Sequence, residues 1–169
     1  GMHGSKFANY AVTNSDLLIA LGARFSDRVT GKIADFAPDA KVIHIDVDPA
    51  EIGKNRIPQI PIVGDAKVVL GGINDQLEQT GYEPCTKEWL AQIEEWRSRH
   101  PFYSPGVSTP AGSISPEGSL DLLSSLLDPE NSIVTTEVGQ HQMWAAQHID
   151  RDVPRTFLSS GGLGTMGFG

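Results

Sequence analysis

The stretch KVIHIDVD, residues 41–48, decides the fold class. Its run from Val42 to Val47 is largely apolar and enriched in β-branched residues, which is typical of a buried strand in a parallel sheet. Asp46 and Asp48 alternate with apolar residues, so strand geometry would place both carboxylates on one side. Because ligands collect at the carboxyl ends of parallel strands, the stretch predicts a strand that ends at a ligand-binding edge.

Two further apolar runs predict neighbouring strands. The run from Leu17 to Leu21 is closed by Gly22 and favours a strand buried on both faces. A shorter run, from Ile60 to Val63, ends at Gly64-Asp65, and its prolines indicate an edge position or a late start. Since helical patterns separate these runs, the first part of the chain is predicted to be α/β with a parallel sheet.

Recognisable caps and stops mark the helices. Ser5 is predicted to cap a helix that runs to about Thr13. Asp65 is predicted to cap a second helix, which ends at Gly81. The pair Gly71-Gly72 weakens the second helix by about 1 kcal/mol per glycine relative to alanine. Two other stretches predict helices: TGKIADFAPDA (30–40), which Pro38 would stop, and TKEWLAQIEEWRSRH (86–100), with Thr86 as cap and Trp89, Ile93 and Trp96 on one face.

The composition changes after residue 100. The stretch 101–118 is rich in proline, glycine and serine and lacks periodicity, which is typical of a linker or a long crossing loop. A helix, a strand, a helix and a strand are then predicted in residues 115–132, 133–139, 140–149 and 155–160. We therefore expect one α/β domain in residues 1–100, a linker in 101–115, and the opening of a second α/β domain in 116–169.

The charge and composition narrow the range of partners. The chain has 169 residues, a net charge of −8 and a pI of about 5.0, which disfavours nucleic acid as a partner. We identify no apolar run long enough to span a bilayer and no targeting segment. The single cysteine, Cys85, cannot form an internal disulfide, which favours a reducing compartment.

The polar residues after the first two strands suggest a binding site. Arg24 and Arg28 follow the first strand and suit phosphate or carboxylate recognition, but they could instead pair with Asp27 on the surface. Asp46 could accept hydrogen bonds from a ribose or bind a metal ion. For Asp48, a role as the cap of a following helix is the better interpretation.

Two glycine-containing motifs in the second part allow more than one interpretation. In TTEVGQHQMWAAQ (135–147), Gln140 and His141 fall in the first turn of a helix, where backbone amides favour anions; an exposed polar turn is the alternative. Residues 162–167 fit the dinucleotide pattern G-x-G-x-x-G, yet the expected helix and acidic residue do not follow in this sequence. We therefore do not interpret that segment as a dinucleotide loop.

Taken together, six stretches resemble one family. The chain is similar to the catalytic subunit of acetolactate synthase (acetohydroxyacid synthase), a thiamine-diphosphate enzyme of branched-chain amino acid synthesis. The stretches are GMHG (1–4), LGARFSDRVTGK (21–32), VIHIDVDPAEIGKNR (42–56), IVGDA (62–66), TTEVGQHQMWAAQ (135–147) and SSGGLGTMGFG (159–169). They occur in the family's order and at similar spacing, and the resemblance covers nearly the whole chain.

The resemblance implies a domain plan. The family's subunit has three α/β domains: the first carries the glutamate that activates thiamine, the middle one binds FAD on a parallel, Rossmann-like sheet, and the third binds the diphosphate and Mg²⁺. This chain resembles the second half of the middle domain, with three strands, joined to the first βαβ elements of the third. The family joins decarboxylated pyruvate to pyruvate or 2-oxobutanoate, so small 2-oxo acids are the implied substrates.

The resemblance also assigns site residues. Thiamine diphosphate would contact the start of the helix and the glycine-rich segment of the second part, where Met166 would also support the bent conformation of the cofactor. Arg28 would line the substrate channel. The residues implied for FAD are His3, Gly22, Ala23, Arg24, Asp46 and Asp65, and those implied for thiamine diphosphate are Gln140, His141, Gly164 and Met166.

The sequence departs from the family pattern in three ways. Ser26 stands where the family commonly has an acid, which removes a charge from the implied FAD contact. The family's magnesium-binding G-D-G…N segment would lie after Gly169, and its activating glutamate before Gly1. We therefore expect no catalytic residue and no metal ligand in this chain, and no synthase activity from the chain alone. Thiamine diphosphate, Mg²⁺ and FAD belong to the full-length family, and we expect them to be absent from this chain or only weakly bound.

Other functions remain open from the sequence. A non-catalytic module that binds a nucleotide or FAD is the first alternative, and an inert, ligand-free truncated product is the second. The resemblance further implies a homodimer or higher oligomer, a regulatory subunit as a possible partner, and a location in the bacterial cytoplasm or in a plastid or other organelle. The strand Leu17–Leu21 would pair with a strand that this sequence does not contain, which leaves an apolar edge prone to association.

Overall fold

The computed structural model describes residues 1–101 and 112–169, which fall into two compact units. The first unit is Gly1–Pro101 and the second Phe102–Gly169. The predicted linker, 101–115, lies largely outside the described residues, and the domain boundaries stay a prediction. No helix in the described ranges is long and apolar enough to cross a membrane.

A parallel sheet of three strands forms the centre of the first unit. The strands β1 (Leu17–Leu21), β2 (Lys41–Asp46) and β3 (Ile60–Val63) lie in the order β1-β2-β3. In the register, Ile19 pairs with Ile43, and Ile43 with Ile60. The predicted strands and their parallel α/β arrangement are confirmed, while the finer FAD-type, Rossmann-like description stays a prediction.

The middle strand is buried on both faces because its side chains alternate between two covered sides. Val42 and His44 point to one face and Ile45 to the other, and their exposed fractions are 0%, 1% and 0%. The ring of His44 packs edge-on against Phe25, with centroids 5.0 Å apart. Neither of its ring nitrogens has a hydrogen-bond partner in the described part of the chain. The His44 side chain is therefore held by packing rather than by hydrogen bonds among the described residues.

One face of the sheet is covered by an irregular segment between β1 and β2. Phe25, Phe36, Ala37 and Ala40 of this segment form a buried cluster with Ala20 and Val42. The guanidinium of Arg56 donates hydrogen bonds to the carbonyl oxygens of Phe36 (3.1 Å), Ala37 (2.9 Å) and Ala40 (3.4 Å). These bonds satisfy backbone groups that neither a helix nor the sheet pairs, so they stabilise the turn over the core.

The same segment contradicts one predicted helix. Residues 30–40 form no regular helix; instead, α2 (Asp27–Thr30) makes one turn and a 3₁₀ turn follows at Ile33–Asp35. Ala37 has a φ of +42°, which ends any helical path one residue before Pro38. Because Phe36 and Ala37 are buried in the core, the packing of the segment overrides its helical pattern.

The longer helices of the first unit match their predicted caps, with one exception. Helices α1 (Lys6–Thr13), α3 (Ala66–Thr80) and α4 (Lys87–Arg99) are present. The hydroxyl of Ser5 accepts a bond from the Ala8 amide at 3.2 Å, and Gly81 ends α3 with a φ of +63°. Thr86 precedes α4 but makes no side-chain cap bond. Trp96 of α4 contacts Trp89 at 5.7 Å and Tyr10 of α1 at 5.8 Å between ring centroids, so an aromatic face joins α4 to α1.

The second unit contains the four predicted elements. They are α5 (Pro116–Leu126), β4 (Val134–Thr136), α6 (Gln140–His148) and β5 (Phe157–Ser159), and β4 and β5 pair in parallel. Nδ1 of His148 lies 3.0 Å from a carboxylate oxygen of Asp121, which ties α6 to α5. The strands are three residues long, about half the length expected from the sequence, because the flanking residues turn away into loops.

β1 occupies one edge of its sheet in the described unit. Leu17, Ile19 and Leu21 point to the same face and expose 47%, 48% and 42% of their surface. The prediction that β1 is buried on both faces is therefore wrong in this unit, because none of the described strands or helices covers this face. The expectation of an apolar edge strand is confirmed for these residues.

The burial of β2 yields a stability prediction. Ile45→Ala should lower the free energy of unfolding by about 2–5 kcal/mol, because it leaves a cavity at a fully buried site. Ile57→Ala makes the same change at a side chain that is 82% exposed and should shift it by less than about 0.5 kcal/mol. Urea unfolding of both variants measures the difference; equal losses would contradict the packing described here.

Candidate functional site

The carboxyl ends of β1, β2 and β3 meet at one edge of the sheet. The Gly22 amide donates to the carbonyl of Ile45 at 2.9 Å, and the Gly64 amide donates to the carbonyl of Asp46, also at 2.9 Å. These two bonds continue the parallel ladder by one residue beyond β1 and β3. Gly22, Asp46 and Gly64 therefore lie side by side, as the sequence predicted for a ligand-binding edge.

Gly22 turns the chain sharply at the end of β1. Its φ is +60°, in the left-handed region that side chains avoid, and a Cβ placed there would have no atom within 4 Å. Ala23 is half-buried against the core, whereas Arg24 points to solvent. A residue outside the turn stabilises it: the Asn55 side-chain amide donates a hydrogen bond to the Arg24 carbonyl at 3.0 Å. The backbone before Arg24 thus borders open space.

The two arginines of this loop remain available for a ligand. Both side chains are exposed, and within residues 1–101 neither forms an ion pair with Asp27 or with any other acid. The alternative of surface pairing with Asp27 is therefore wrong for this structure. Ser26 occupies the cap position of α2 without a side-chain cap bond, so its hydroxyl does not fix the loop.

The N-terminal GMHG stretch lies against the same loop. The Met2 amide donates to the Arg28 carbonyl at 2.8 Å, and a Cβ on Gly1 would come within 3.0 Å of the Val29 Cα. This close approach places the half-buried His3 near α2. His3 and Arg28, far apart in sequence, thus fall in one neighbourhood.

The two aspartates after β2 have different environments. Asp46 is 8% exposed, and one of its carboxylate oxygens accepts a bond from the Asp48 amide at 2.9 Å. The carboxylate of Asp48 accepts from the Ala50 amide at 2.8 Å and closes a turn. No helix follows in residues 49–53, so the predicted helix cap is wrong, although the local capping chemistry is that of an Asx turn. Since β2 ends at Asp46, strand alternation does not extend to Asp48.

Asp65 is largely committed to its helix. One carboxylate oxygen accepts bonds from the amides of Lys67 (2.9 Å) and Val68 (3.2 Å) at the start of α3, which confirms the predicted cap. Any contact of Asp65 with a cofactor would have to use its other oxygen.

In the second unit, α6 begins directly after the turn that follows β4. Gly139 precedes α6 with a φ of +151° and leaves the helix start without a side-chain cap. The imidazole of His141 lies over this glycine, 3.0 Å from where a Cβ would stand. Because first-turn amides lack intrahelical partners, Gln140 and His141 offer backbone donors at the start of α6.

A buried polar group lies next to this helix start. The hydroxyl of Thr136, the last residue of β4, belongs to a side chain that is only 6% exposed, and it has no hydrogen-bond partner in the part of the chain that the structure describes. Buried hydroxyls are normally paired, so this one is suited to a ligand oxygen.

The glycine-rich segment, residues 160–169, folds back across the end of β4. The Ser160 amide donates to the Thr136 carbonyl at 3.3 Å, and the Thr135 hydroxyl donates to the Gly169 carbonyl at 3.1 Å. Gly164 and Gly167 have φ values of +79° and +77°, so the path requires glycine at both positions. Gly164 and Met166 are thereby brought to the same end of β4 as Gln140 and His141.

Glu137 is a residue that the sequence reasoning missed. Its carboxylate accepts a hydrogen bond from the Gly167 amide. The available signal was an acid placed between the end of a strand and a glycine that opens a helix, in TTEVG. No group of three or more histidine, cysteine, aspartate or glutamate side chains that could hold a metal ion occurs among residues 1–101 and 112–169.

Comparison with known families identifies both units. Residues 1–73 match the central domain of thiamine pyrophosphate enzymes, and residues 137–169 match their C-terminal, thiamine-pyrophosphate-binding domain. The chain belongs to the thiamine pyrophosphate enzyme family. The G-x-G-x-x-G segment falls inside the second match, which agrees with rejecting it as a dinucleotide loop.

Relatives within this family share one name. The chain is 51% identical over its whole length to the acetolactate synthase large subunit of Parasynechococcus marenigrum and covers 26% of it. It is 52% identical to an acetolactate synthase of Mycobacterium leprae, with 99% of the chain and 27% of the relative aligned. For a probable large subunit of Methanocaldococcus jannaschii the identity is 51%, with 100% and 29% aligned. The chain thus spans less than a third of these relatives.

A glycine with a left-handed backbone and a glycine inside a helix yield a paired prediction for the first unit. Gly22→Ala should destabilise the chain by roughly 1–2 kcal/mol, because the new side chain must adopt a left-handed backbone. Gly72→Ala, inside α3 with open space around the new Cβ, should stabilise it by about 1 kcal/mol. Thermal unfolding monitored by circular dichroism distinguishes the two signs; destabilisation by both variants would contradict the backbone described for α3.

Proposed function

We propose that this chain is a segment of an acetolactate synthase large subunit and lines parts of two cofactor sites. The observation that carries the proposal is an identity of 46–52% over the chain to acetolactate synthases from bacteria, a plant and an archaeon. The proposed activity of the whole protein is the decarboxylating condensation of pyruvate with a second 2-oxo acid, either pyruvate or 2-oxobutanoate.

The second unit fits thiamine diphosphate. The start of α6, with Gln140 and His141, has no side-chain cap bond and suits the diphosphate. The Thr136 hydroxyl, which has no partner among the described residues, adds a buried polar group beside it. Gly164 and Met166 lie in the segment at the same end of β4 and would contact the thiamine ring. Met166 is 68% exposed, so its side chain is free to pack against a ligand.

The first unit fits a nucleotide cofactor such as FAD. The open turn at Gly22 and Ala23 permits close backbone approach, and the exposed Arg24 suits a phosphate. Asp46 keeps one carboxylate oxygen that the Asp48 amide does not occupy, which suits a ribose hydroxyl. In this arrangement His3 and Asp65 border the site, and Arg28 lines the approach of the 2-oxo acid. Mg²⁺ would accompany the diphosphate in the whole protein.

The chemistry belongs to the cofactor. Thiamine diphosphate, when bound, supplies the reactive carbon and the electron sink for decarboxylation, whereas the protein orients it and excludes competing reactions. In this chain the residues of the second unit bind and orient, and no residue is assigned to proton transfer. We therefore propose that the 169-residue chain alone forms no acetolactate.

A second candidate function rests on the first unit. The open turn at Gly22 and the exposed Arg24 and Arg28 would also serve a module that binds a nucleotide or FAD without catalysis. This function differs from the first in requiring no ligand at the start of α6.

Binding by the purified chain tests the proposal. We expect thiamine diphosphate to change the tryptophan fluorescence, and His141→Ala to weaken this binding roughly tenfold, as expected for loss of a hydrogen bond to a charged group. Arg24→Ala should weaken the binding of FAD, followed by flavin fluorescence, without affecting thiamine diphosphate; His100→Ala, in the first unit, should affect neither.

The outcomes separate the candidates. Flavin binding without thiamine diphosphate binding would favour the nucleotide-binding module. Acetolactate formation by the chain alone, dependent on added thiamine diphosphate, would contradict the assignment of essential groups to other parts of the subunit.

We also propose that the β1 edge drives self-association, as expected of a homodimer or higher oligomer. Ile19→Lys places a charge on the exposed apolar edge and should shift the chain towards a monomer in light scattering. Ile57→Lys, at a side chain away from β1, is the matched control and should leave the association state unchanged. A monodisperse monomer of the unmodified chain would refute the proposal.

A further inference from the structure

The 160–169 segment is held by polar contacts rather than by burial. Its three large apolar side chains, Leu163, Met166 and Phe168, are 91%, 68% and 53% exposed. Their packing therefore contributes little to keeping the segment in place. Two bonds inside the segment shape it: the Gly164 amide donates to the Ser160 carbonyl at 2.7 Å, and the Ser160 hydroxyl donates to the Thr165 carbonyl at 2.8 Å.

Three hydrogen bonds join the segment to the end of β4. Two of them lie at its extremities: the Ser160 amide donates to the Thr136 carbonyl, and the Thr135 hydroxyl donates to an oxygen of Gly169, the last residue of the sequence. The third connects the Glu137 carboxylate to the Gly167 amide, between these extremities. Bonds to ionised groups are about twice as strong as neutral ones. The contact of the Glu137 carboxylate with the interior of the segment therefore falls on the residue next to Met166.

The backbone of Glu137 contacts the segment independently of its side chain. A Cβ on Gly169 would lie 3.0 Å from the Glu137 amide nitrogen and 3.1 Å from the Thr136 carbonyl carbon. The segment thus passes over Glu137 with no room for a side chain at Gly169. Gly167 also has a left-handed backbone, so the stretch from Gly167 to Gly169 has few alternative paths past Glu137.

We infer that Glu137 is a positioning residue, whose carboxylate fixes the path of residues 164–167 across the end of β4 through the Gly167 amide. It acts through the backbone that carries Met166. The consequence for thiamine diphosphate affinity rests on the proposed function of the segment; the positioning itself does not.

Hydrogen exchange at the Gly167 amide tests the positioning directly. In the 169-residue chain, Glu137→Ala should speed exchange at Gly167 roughly tenfold or more, because a bond to a charged acceptor is lost. Glu137→Gln keeps an acceptor without the charge and should give an intermediate rate. Glu130→Ala removes the same charge from an exposed site in the same unit and should leave the rate unchanged.

The exchange results decide the inference. The Gly22 amide, bonded to Ile45 in the first unit, serves as an internal reference that none of these variants should alter. Unchanged Gly167 exchange in Glu137→Ala, or an equal effect of Glu130→Ala, would overturn the positioning role. Should Glu137→Ala fail to fold, Glu137→Gln still decides, since a rate equal to that of the unmodified chain would overturn the role of the charge.

Titration with thiamine diphosphate tests the functional consequence. We expect Glu137→Ala to raise the Kd roughly tenfold and Glu137→Gln to recover part of the loss, in the same order as the exchange rates. An unchanged Kd alongside faster Gly167 exchange would overturn the link to the cofactor. If the unmodified chain binds no thiamine diphosphate, the proposed function of the segment fails, while the exchange rates still decide the positioning.

Discussion

The parallel pairing of β2 between β1 and β3 is the constraint on which the first unit depends. Val42 and Ile45 are fully buried on opposite faces of that strand, so a one-residue shift of register would move both side chains out of their packing positions. The register in turn brings Gly22, Asp46 and Gly64 next to one another at the carboxyl ends of the strands. The positions of the backbone and side-chain groups at that edge thus follow from the packing of β2, a strand of six residues.

The second unit depends on a different kind of interaction. Its strands are three residues long, and the segment that crosses them leaves its apolar side chains exposed. Hydrogen bonds from Ser160, Gly167 and Gly169 to the end of β4 define the path instead. Hydrogen bonds are directional, so contacts of this kind fix the path of a segment more sharply than burial does.

The sequence predicted the strands well and the turns poorly, for physical reasons. Continuous β-branched runs identified β1, β2 and β3, and Asp65 and Gly81 identified the ends of α3, because these signals are local. The helix predicted in residues 30–40 is absent because a long-range partner determines the backbone there. Arg56 donates hydrogen bonds to the carbonyl oxygens of buried Phe36 and left-handed Ala37. Glu137 was missed for the same reason: its partner, Gly167, lies 30 residues away. The family resemblance placed Gln140, His141, Gly164 and Met166 together, which no local pattern could do.

The ring of His44 sets a limit on the stability of the first sheet. It is 1% exposed, and in the described residues neither nitrogen meets a donor or an acceptor. Removing such a group from water without compensation costs about 1–3 kcal/mol. A leucine of similar reach would keep the contact with Phe25 and carry no such cost, so the sheet as it stands is less stable than its own topology permits.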